Sequence, residues 1–294
     1  MNSVSEKKKS EMLETRRLRV KMPTLEELQE RFKEYFKLER DEDGILLITM
    51  HYDGGDPIWS YEMHEACAEL FTAIGHDKKN EVIILTSTGD NWIAKMDIGS
   101  FHAYDDPDHT NDDRFNVQIY DTMKVVENLV FDIEVPTIAA FPGGGIHWEM
   151  GMLMDVTLAA PEFVLRDNHF TMPPGHVGGD GMFMVAQELL GKKRANYFEF
   201  MGQELTCEQC VELGLINEVV PRDQLVARAK EIAKGWMQYN RTCRRLQHML
   251  AMRPWQRLLV NDFKTNVLAE MYNKALEKAP SGFDKMDTYD LKRK

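Results

Sequence analysis

Residues 135–160 read VPTIAAFPGGGIHWEMGMLMDVTLAA. Val135 to Ala140 is a short apolar run of strand type, Pro142-Gly143-Gly144-Gly145 breaks it, His147 to Asp155 has helical character, and Val156 to Ala160 is a second strand. A glycine run before a helix can cradle a phosphate. Neither G-x-G-x-x-G nor a Walker lysine follows, so the glycines read as a tight turn.

The same alternation extends in both directions. Upstream, Leu25 to Phe36 (LEELQERFKEYF) has apolar residues at helical spacing, Gly44 to Met50 is a strand, Ser60 to Ile74 is a helix with Ser60 as N-cap, and Glu81 to Thr86 is a strand. Gln118 to Leu129 is the next helix. Downstream, Gly181 to Leu190 and Glu208 to Leu213 are helical, and Ile216 to Val220 is a strand ended by Pro221. Beyond Gln224 no strand is evident, and Leu225 to Met237 and Trp255 to Leu276 read as helices. The pattern is an α/β layered core with a C-terminal helical region. Three segments follow: a charged N-terminal extension (1–22), the core (23–222), and helices for packing and oligomerisation (223–294). His102 to Arg114 is strongly polar and reads as a surface loop or lid.

Composition narrows the class. A chain that is 43% hydrophobic and 29% charged can bury a core. The longest apolar stretches fall far short of the roughly 18 residues that a membrane span needs, and the N-terminus carries no apolar segment of signal type. A net charge of −12 without a basic stripe argues against nucleic acid as a partner. The cysteines, 67, 207, 210 and 243, form no secreted disulfide framework, so a reducing cytoplasm is expected. The Cys207-x-x-Cys210 pair with His147-x-Glu149 touches on a zinc-deaminase pattern. It lacks the proline before the first cysteine, so neither a metal nor a cofactor is expected.

Three ordered blocks, 80–98 (NEVIILTSTGDNWIAKMDI), 135–160 and 190–221 (LGKKRANYFEFMGQELTCEQCVELGLINEVVP), resemble the crotonase, or enoyl-CoA hydratase/isomerase, superfamily. The resemblance covers about residues 37 to 235. It implies a ClpP-like ββα spiral core, with C-terminal helices that build a homotrimer or a dimer of trimers. The CoA-using members hold a thioester oxygen with backbone N–H groups, from an Ala-Gly-Ala-Asp or Gly-Gly-Asp stretch and from a triple-glycine run. Here those places hold Ala94-Lys95-Met96-Asp97 and Gly145-Ile146-His147. Of their two glutamates, Glu149 matches the first and His169 replaces the second.

These departures are similar to the β-diketone hydrolases, the group that includes 6-oxocamphor hydrolase, which cut a C–C bond by a retro-Claisen reaction without CoA. The matching residues are Trp59, His64, His147, His169, Asp180 and Glu270. The His169-to-Asp180 spacing is two residues longer than in the camphor enzyme, around Pro173-Pro174-Gly175-His176. The implied substrate is a small, cyclic 1,3-diketone.

Such chemistry needs a base for water and donors for an enolate. A histidine titrates near 6.5, and a carboxylate on its far nitrogen fixes its tautomer. His169 is therefore the expected base and Asp180 its orienter. His147 and the Trp59 indole N–H are expected to bind the enolate oxygen. Glu270 is expected to relay a proton to carbon, and His64 to support the water or the glutamate. Each residue also has a structural reading: His64 as a packed core histidine, Trp59 as a helix anchor, Glu270 as the partner of Lys274 four residues on, Asp180 as a turn or cap. The runner-up activity is a CoA-thioester hydratase, isomerase or hydrolase using Glu149 and His169; a binding or scaffold protein ranks last.

Overall fold

The runs ILLITM, VIILTS and TIAAF lack the polar alternation of a half-exposed strand, and in the computed structural model each is buried almost throughout. Strands covered on both faces read this way. The structure describes residues 22–97, 100, 122–173 and 175–278. Residues 1–21 of the charged extension, the polar stretch 102–114 and the expected helix start at Gln118 lie outside them.

The first half contains α1 (Leu25–Phe32), β1 (Phe36–Arg40), β2 (Ile45–Met50), β3 (Ile58–Trp59), α2 (Tyr61–His76), β4 (Val82–Ser87), β5 (Lys95–Met96), α3 (Thr122–Phe131) and β6 (Thr137–Phe141). After it come α4 (Glu149–Met152), β7 (Val156–Ala159), β8 (Val164–Leu165), α5 (Met182–Leu190), α6 (Lys192–Met201), β9 (Leu205–Thr206), α7 (Cys207–Glu212) and β10 (Glu218–Val219). A 3₁₀ turn leads into α8 (Leu225–Trp236), α9 (Arg241–Leu258), a π-helical turn at Leu259–Phe263, and α10 (Lys264–Lys278).

Six strands form one sheet in the order β1-β2-β4-β6-β7-β10. Only the β1–β2 pair is antiparallel. Because side chains alternate across a strand, Leu46, Ile48, Ile83, Leu85 and Ala139 enter the main core with α2 and α3. Ile45, Leu47, Val82, Ile84 and Ile138 face the other way, against Leu225, Ala229 and Ala233 of α8. Each leucine-sized side chain buried this way contributes about 1.5–3 kcal/mol.

Three expectations need correction. The helix expected through Phe36 stops at Phe32, because Phe36 and Leu38 alternate with exposed residues and pair with β2 in the register Phe36↔Met50. The expected helix His147–Asp155 shrinks to Glu149–Met152: His147 has φ +52, which a right-handed helix cannot contain, and Asp155 is drawn off to accept from Thr137 N at 2.8 Å. The helix expected from Trp255 is already running there. Asn240 caps it at Cys243 N, it passes through Pro254, and the π turn resets its register before α10. The C-terminal helices are tied to the sheet where His248 Nδ1 meets Asp155 Oδ2 at 2.6 Å.

Candidate active site

The glycine turn after β6 is shaped by a close approach. A Cβ on Gly145 would lie 2.5 Å from Ile93 N and 2.6 Å from Ile93 O, so only glycine lets this turn pack on the 92–94 segment. Trp92 N donates to Gly144 O at 3.0 Å and Ile146 N to Ile93 O at 3.2 Å. The neighbouring amides are also engaged: Ala94 N donates to Pro57 O at 3.1 Å and Asp97 N to Trp59 O at 2.8 Å. These backbone donors are consumed by the pairing of the turn and of β3 with β5. The polarity of the site comes from side chains.

Leaving the turn in the left-handed region, His147 places its ring 4.0 Å from that of Trp59, tilted by 30°. Its Nδ1 lies 2.9 Å from Glu149 Oε1. Burial opposes a charge on His147, but the attraction and hydrogen bond of Glu149, helped by Asp180, raise its pKa overall. Glu149 itself is raised by burial, against the pull of His147. His64 packs edge-on against Trp59 at 5.2 Å, and burial, reinforced by His147, pushes its pKa down to about 3. It is a neutral imidazole at ordinary pH.

The loop after β8 carries the second histidine. Asp167 Oδ1 accepts from His169 N at 2.9 Å and lies 2.6 Å from His169 Nδ1. Asp180, just before α5, stands between the two histidines: its Oδ2 is 3.8 Å from His169 Nε2 and 3.8 Å from His147 Nδ1. The carboxylate on the Nδ1 side of His169 is thus Asp167, whereas the sequence pointed to Asp180. Burial works against a charged His169, yet Asp180 and the Asp167 hydrogen bond raise its pKa to about 10. For Asp180 burial acts upward, and His169 and His147 outweigh it to hold the carboxyl low. These shifts favour an imidazolium at His169 facing a carboxylate at Asp180.

Glu270 reaches this cluster from α10. Its Oε2 accepts from Gly179 N at 3.2 Å, and Lys274 donates to Oε1. A Cβ on Gly179 would fall 2.1 Å from Asn266 O and 2.7 Å from Glu270 Cβ, so glycine is what lets α10 come this close. Burial raises the Glu270 pKa against the pull of Lys274. The six residues singled out in the sequence thus converge, directly or through a neighbour, around Asp180. Asp167 and Glu199 were missed. Their signals were an aspartate two residues before His169, and a glutamate on the buried face of α6 beside Ala195 and Phe198. Cys207 and Cys210 are buried free thiols, and Cys210 Sγ donates to Leu205 O at 3.8 Å.

A mostly parallel six-stranded sheet with this helical surround is the crotonase fold, and the buried histidine–carboxylate cluster is its candidate site. The chain belongs to the enoyl-CoA hydratase/isomerase family, whose family model matches residues 40–286, through the C-terminal helices as well as the core. Among solved structures, a β-diketone hydrolase from the cyanobacterium Anabaena sp. PCC 7120, bound to (S)-3-oxocyclohexyl acetic acid, superposes with a TM-score of 0.79. It is 30% identical, over 88% of this chain and 100% of that one. An enoyl-CoA hydratase/isomerase from Mycobacterium paratuberculosis shares the fold at TM-score 0.73 and 21% identity, over 82% of this chain and 93% of that one. Among curated relatives, the fatty acid oxidation complex subunit alpha of Shewanella sp. (strain MR-4) is 25% identical over 67% of this chain, and the chain spans only 28% of that subunit's length. Hydroxycinnamoyl-CoA hydratase-lyase of Pseudomonas fluorescens is 23% identical over 68% of this chain and 71% of its own. No helix among the described residues is long and apolar enough to cross a membrane.

Proposed function

We propose that this chain hydrolyses a C–C bond of a 1,3-diketone by a retro-Claisen route, without CoA. The carrying observation is Asp180 set 3.8 Å from a nitrogen of each of two histidines, one of them stacked on Trp59. Likeness to the cyanobacterial β-diketone hydrolase supports it, as does the engagement of the backbone donors near the glycine turn.

At 3.8 Å the His169–Asp180 gap suits a bridging water rather than a direct hydrogen bond. In the proposed reaction that water attacks one carbonyl carbon and gives a proton to the His169–Asp180 pair, which titrates as a unit. With His169 already an imidazolium, the vacant acceptor is Asp180. The bond between the attacked carbon and the central carbon breaks, and its electron pair becomes the enolate of the second carbonyl. His147, biased toward its charged form, donates to the enolate oxygen, and Trp59 supports that ring and lends its indole N–H. Glu270, biased toward its acid form, protonates the enolate carbon, and the His169–Asp180 pair returns a proton to Glu270. Diketone and water give a keto acid, with every proton accounted for. His64 is a neutral packing partner of Trp59. Assembly as a trimer or a dimer of trimers is part of the same reading.

The second reading is a CoA-thioester activity using Glu149 and His169; the names of the curated relatives favour it. One experiment separates the two. Wild type and His169→Ala are incubated with mono- and bicyclic 1,3-diketones and with enoyl-CoA esters, followed by diketone absorbance and mass spectrometry. A gain of one water by a diketone, lost in the variant, supports the first reading. Turnover of CoA esters alone overturns it.

A further inference from the structure

The loop that carries His169 docks on α6 through an edge-to-face contact of Phe170 with Phe200 at 4.7 Å, and Trp148 packs on Phe198 beneath it. This brings Glu199 of α6 against Asp167. Both are almost fully buried, at 5% and 2% exposure. Asp167 Oδ1 is occupied by the backbone and ring nitrogens of His169. The remaining oxygen, Asp167 Oδ2, and Glu199 Oε2 are both buried with no donor among the described residues. Two carboxylates placed side by side away from water are unstable, and two acceptors cannot satisfy each other. One proton between them resolves both problems.

We propose that Glu199 and Asp167 form a carboxylic acid–carboxylate pair that holds one proton and, through Asp167, positions and tunes the His169 imidazole. Burial, followed by the charge of Asp167, raises the Glu199 pKa to about 7. Below that pH, Glu199 donates to Asp167, softens its negative field and lets His169 give up its proton more readily. Above it, Glu199 ionises and a second negative charge holds the imidazolium more firmly. Glu199 faces Asp167, His169 and the Phe170 backbone. His169 also faces Asp180 and Glu270 from the other side, and His147 is a further neighbour. Glu199 is thus a positioning residue, two hydrogen bonds away from the reacting atoms.

This inference rests on the diketone-hydrolase reading only for its consequence in catalysis; its test needs no substrate. The full-length chain is labelled with ¹⁵N-histidine, and His169 is assigned by comparison with His169→Asn and titrated by NMR from pH 5 to 11. In wild type the His169 signal should show a first inflection near 7, from Glu199, ahead of its own midpoint. In Glu199→Gln, which keeps an N–H donor but cannot ionise, the first inflection should vanish and the midpoint fall by about one unit. Glu199→Asp should retain the inflection. A Glu199→Gln titration that superposes on wild type overturns the proposal even if the diketone reaction is confirmed. The expected change would establish the pair even if no diketone is turned over.

Discussion

Replacing Asp180 by asparagine keeps the shape of the side chain and removes its charge. Opposite charges 3.8 Å apart attract by about 4 kcal/mol at an effective dielectric constant of about 20, equivalent to about three pKa units. Asp180 is the main source of the upward pull on His169, with Asp167 remaining in the variant. The His169 pKa should therefore fall from about 10 to about 7. On the proposed mechanism the wild-type water proton goes to Asp180, whose pKa is held low, so kcat should show no rise between about pH 6 and 8. In Asp180→Asn the acceptor becomes neutral imidazole. At pH 6 kcat should be lower by about 10²- to 10⁴-fold, then rise tenfold per pH unit to a plateau above about pH 7. The assay is kcat against pH from the loss of diketone absorbance, with His169 titrated in parallel by NMR. A variant with wild-type rate and a flat profile refutes Asp180 as proton acceptor. An inflection still near pH 10 refutes the coupling of the two residues.

Other expectations concern α10. Glu270→Gln cannot deliver a proton, so kcat should fall about 10²-fold with KM changed less than about twofold; a loss confined to KM would move Glu270 from proton transfer to binding. Gly179→Ala sets a Cβ against Asn266 O and Glu270, forcing α10 outward at a cost of about 1–3 kcal/mol. Urea denaturation should reveal that loss together with reduced kcat. An unshifted midpoint would mean that the contact relaxes freely.

The fold was legible because strands buried on both faces leave unbroken apolar runs, as in Val82 to Leu85, and because glycine turns punctuate them. What was not legible was arithmetic of period and register. Phe32 and Phe36 are spaced for a helix, yet they straddle its end, since Lys37 and Glu39 alternate with buried neighbours. The π turn at Leu259–Phe263 leaves no clear mark in the sequence, although it sets which face of α10 bears Glu270. At the site, the sequence pointed to the right cluster of side chains but not to their pairing. Asp167 and Asp180 are both aspartates near His169 in the chain, and only the loop's path decides which one meets Nδ1. Glu199 was readable in principle, as a charge on an apolar helical face.

The family's glycine turn persists here while its electrostatic role has moved. Ala94, Asp97 and Ile146 spend their amides on local pairing, and in the proposed reaction stabilisation of the developing oxyanion is assigned instead to the His147 imidazole. His147 reaches that position only from the left-handed region, at φ +52, where a side chain costs about 1 kcal/mol that glycine would not. Relief of that strain by His147→Gly is outweighed by what the ring does: it packs on Trp59 and its Nδ1 meets buried Glu149. A hydrogen bond to a charged group contributes about 1.5–3 kcal/mol, and the vacated space adds a cavity penalty. His147→Gly should therefore be less stable than wild type by about 2 kcal/mol in urea denaturation at pH 7, besides losing about 10² or more in kcat. The stability gap should narrow as pH falls toward the ordinary carboxylate range, where protonation of Glu149, whose pKa is already raised by burial, removes the unpaired charge. A glycine variant more stable than wild type would mean that the backbone strain dominates, and that the ring is held against its packing by function alone.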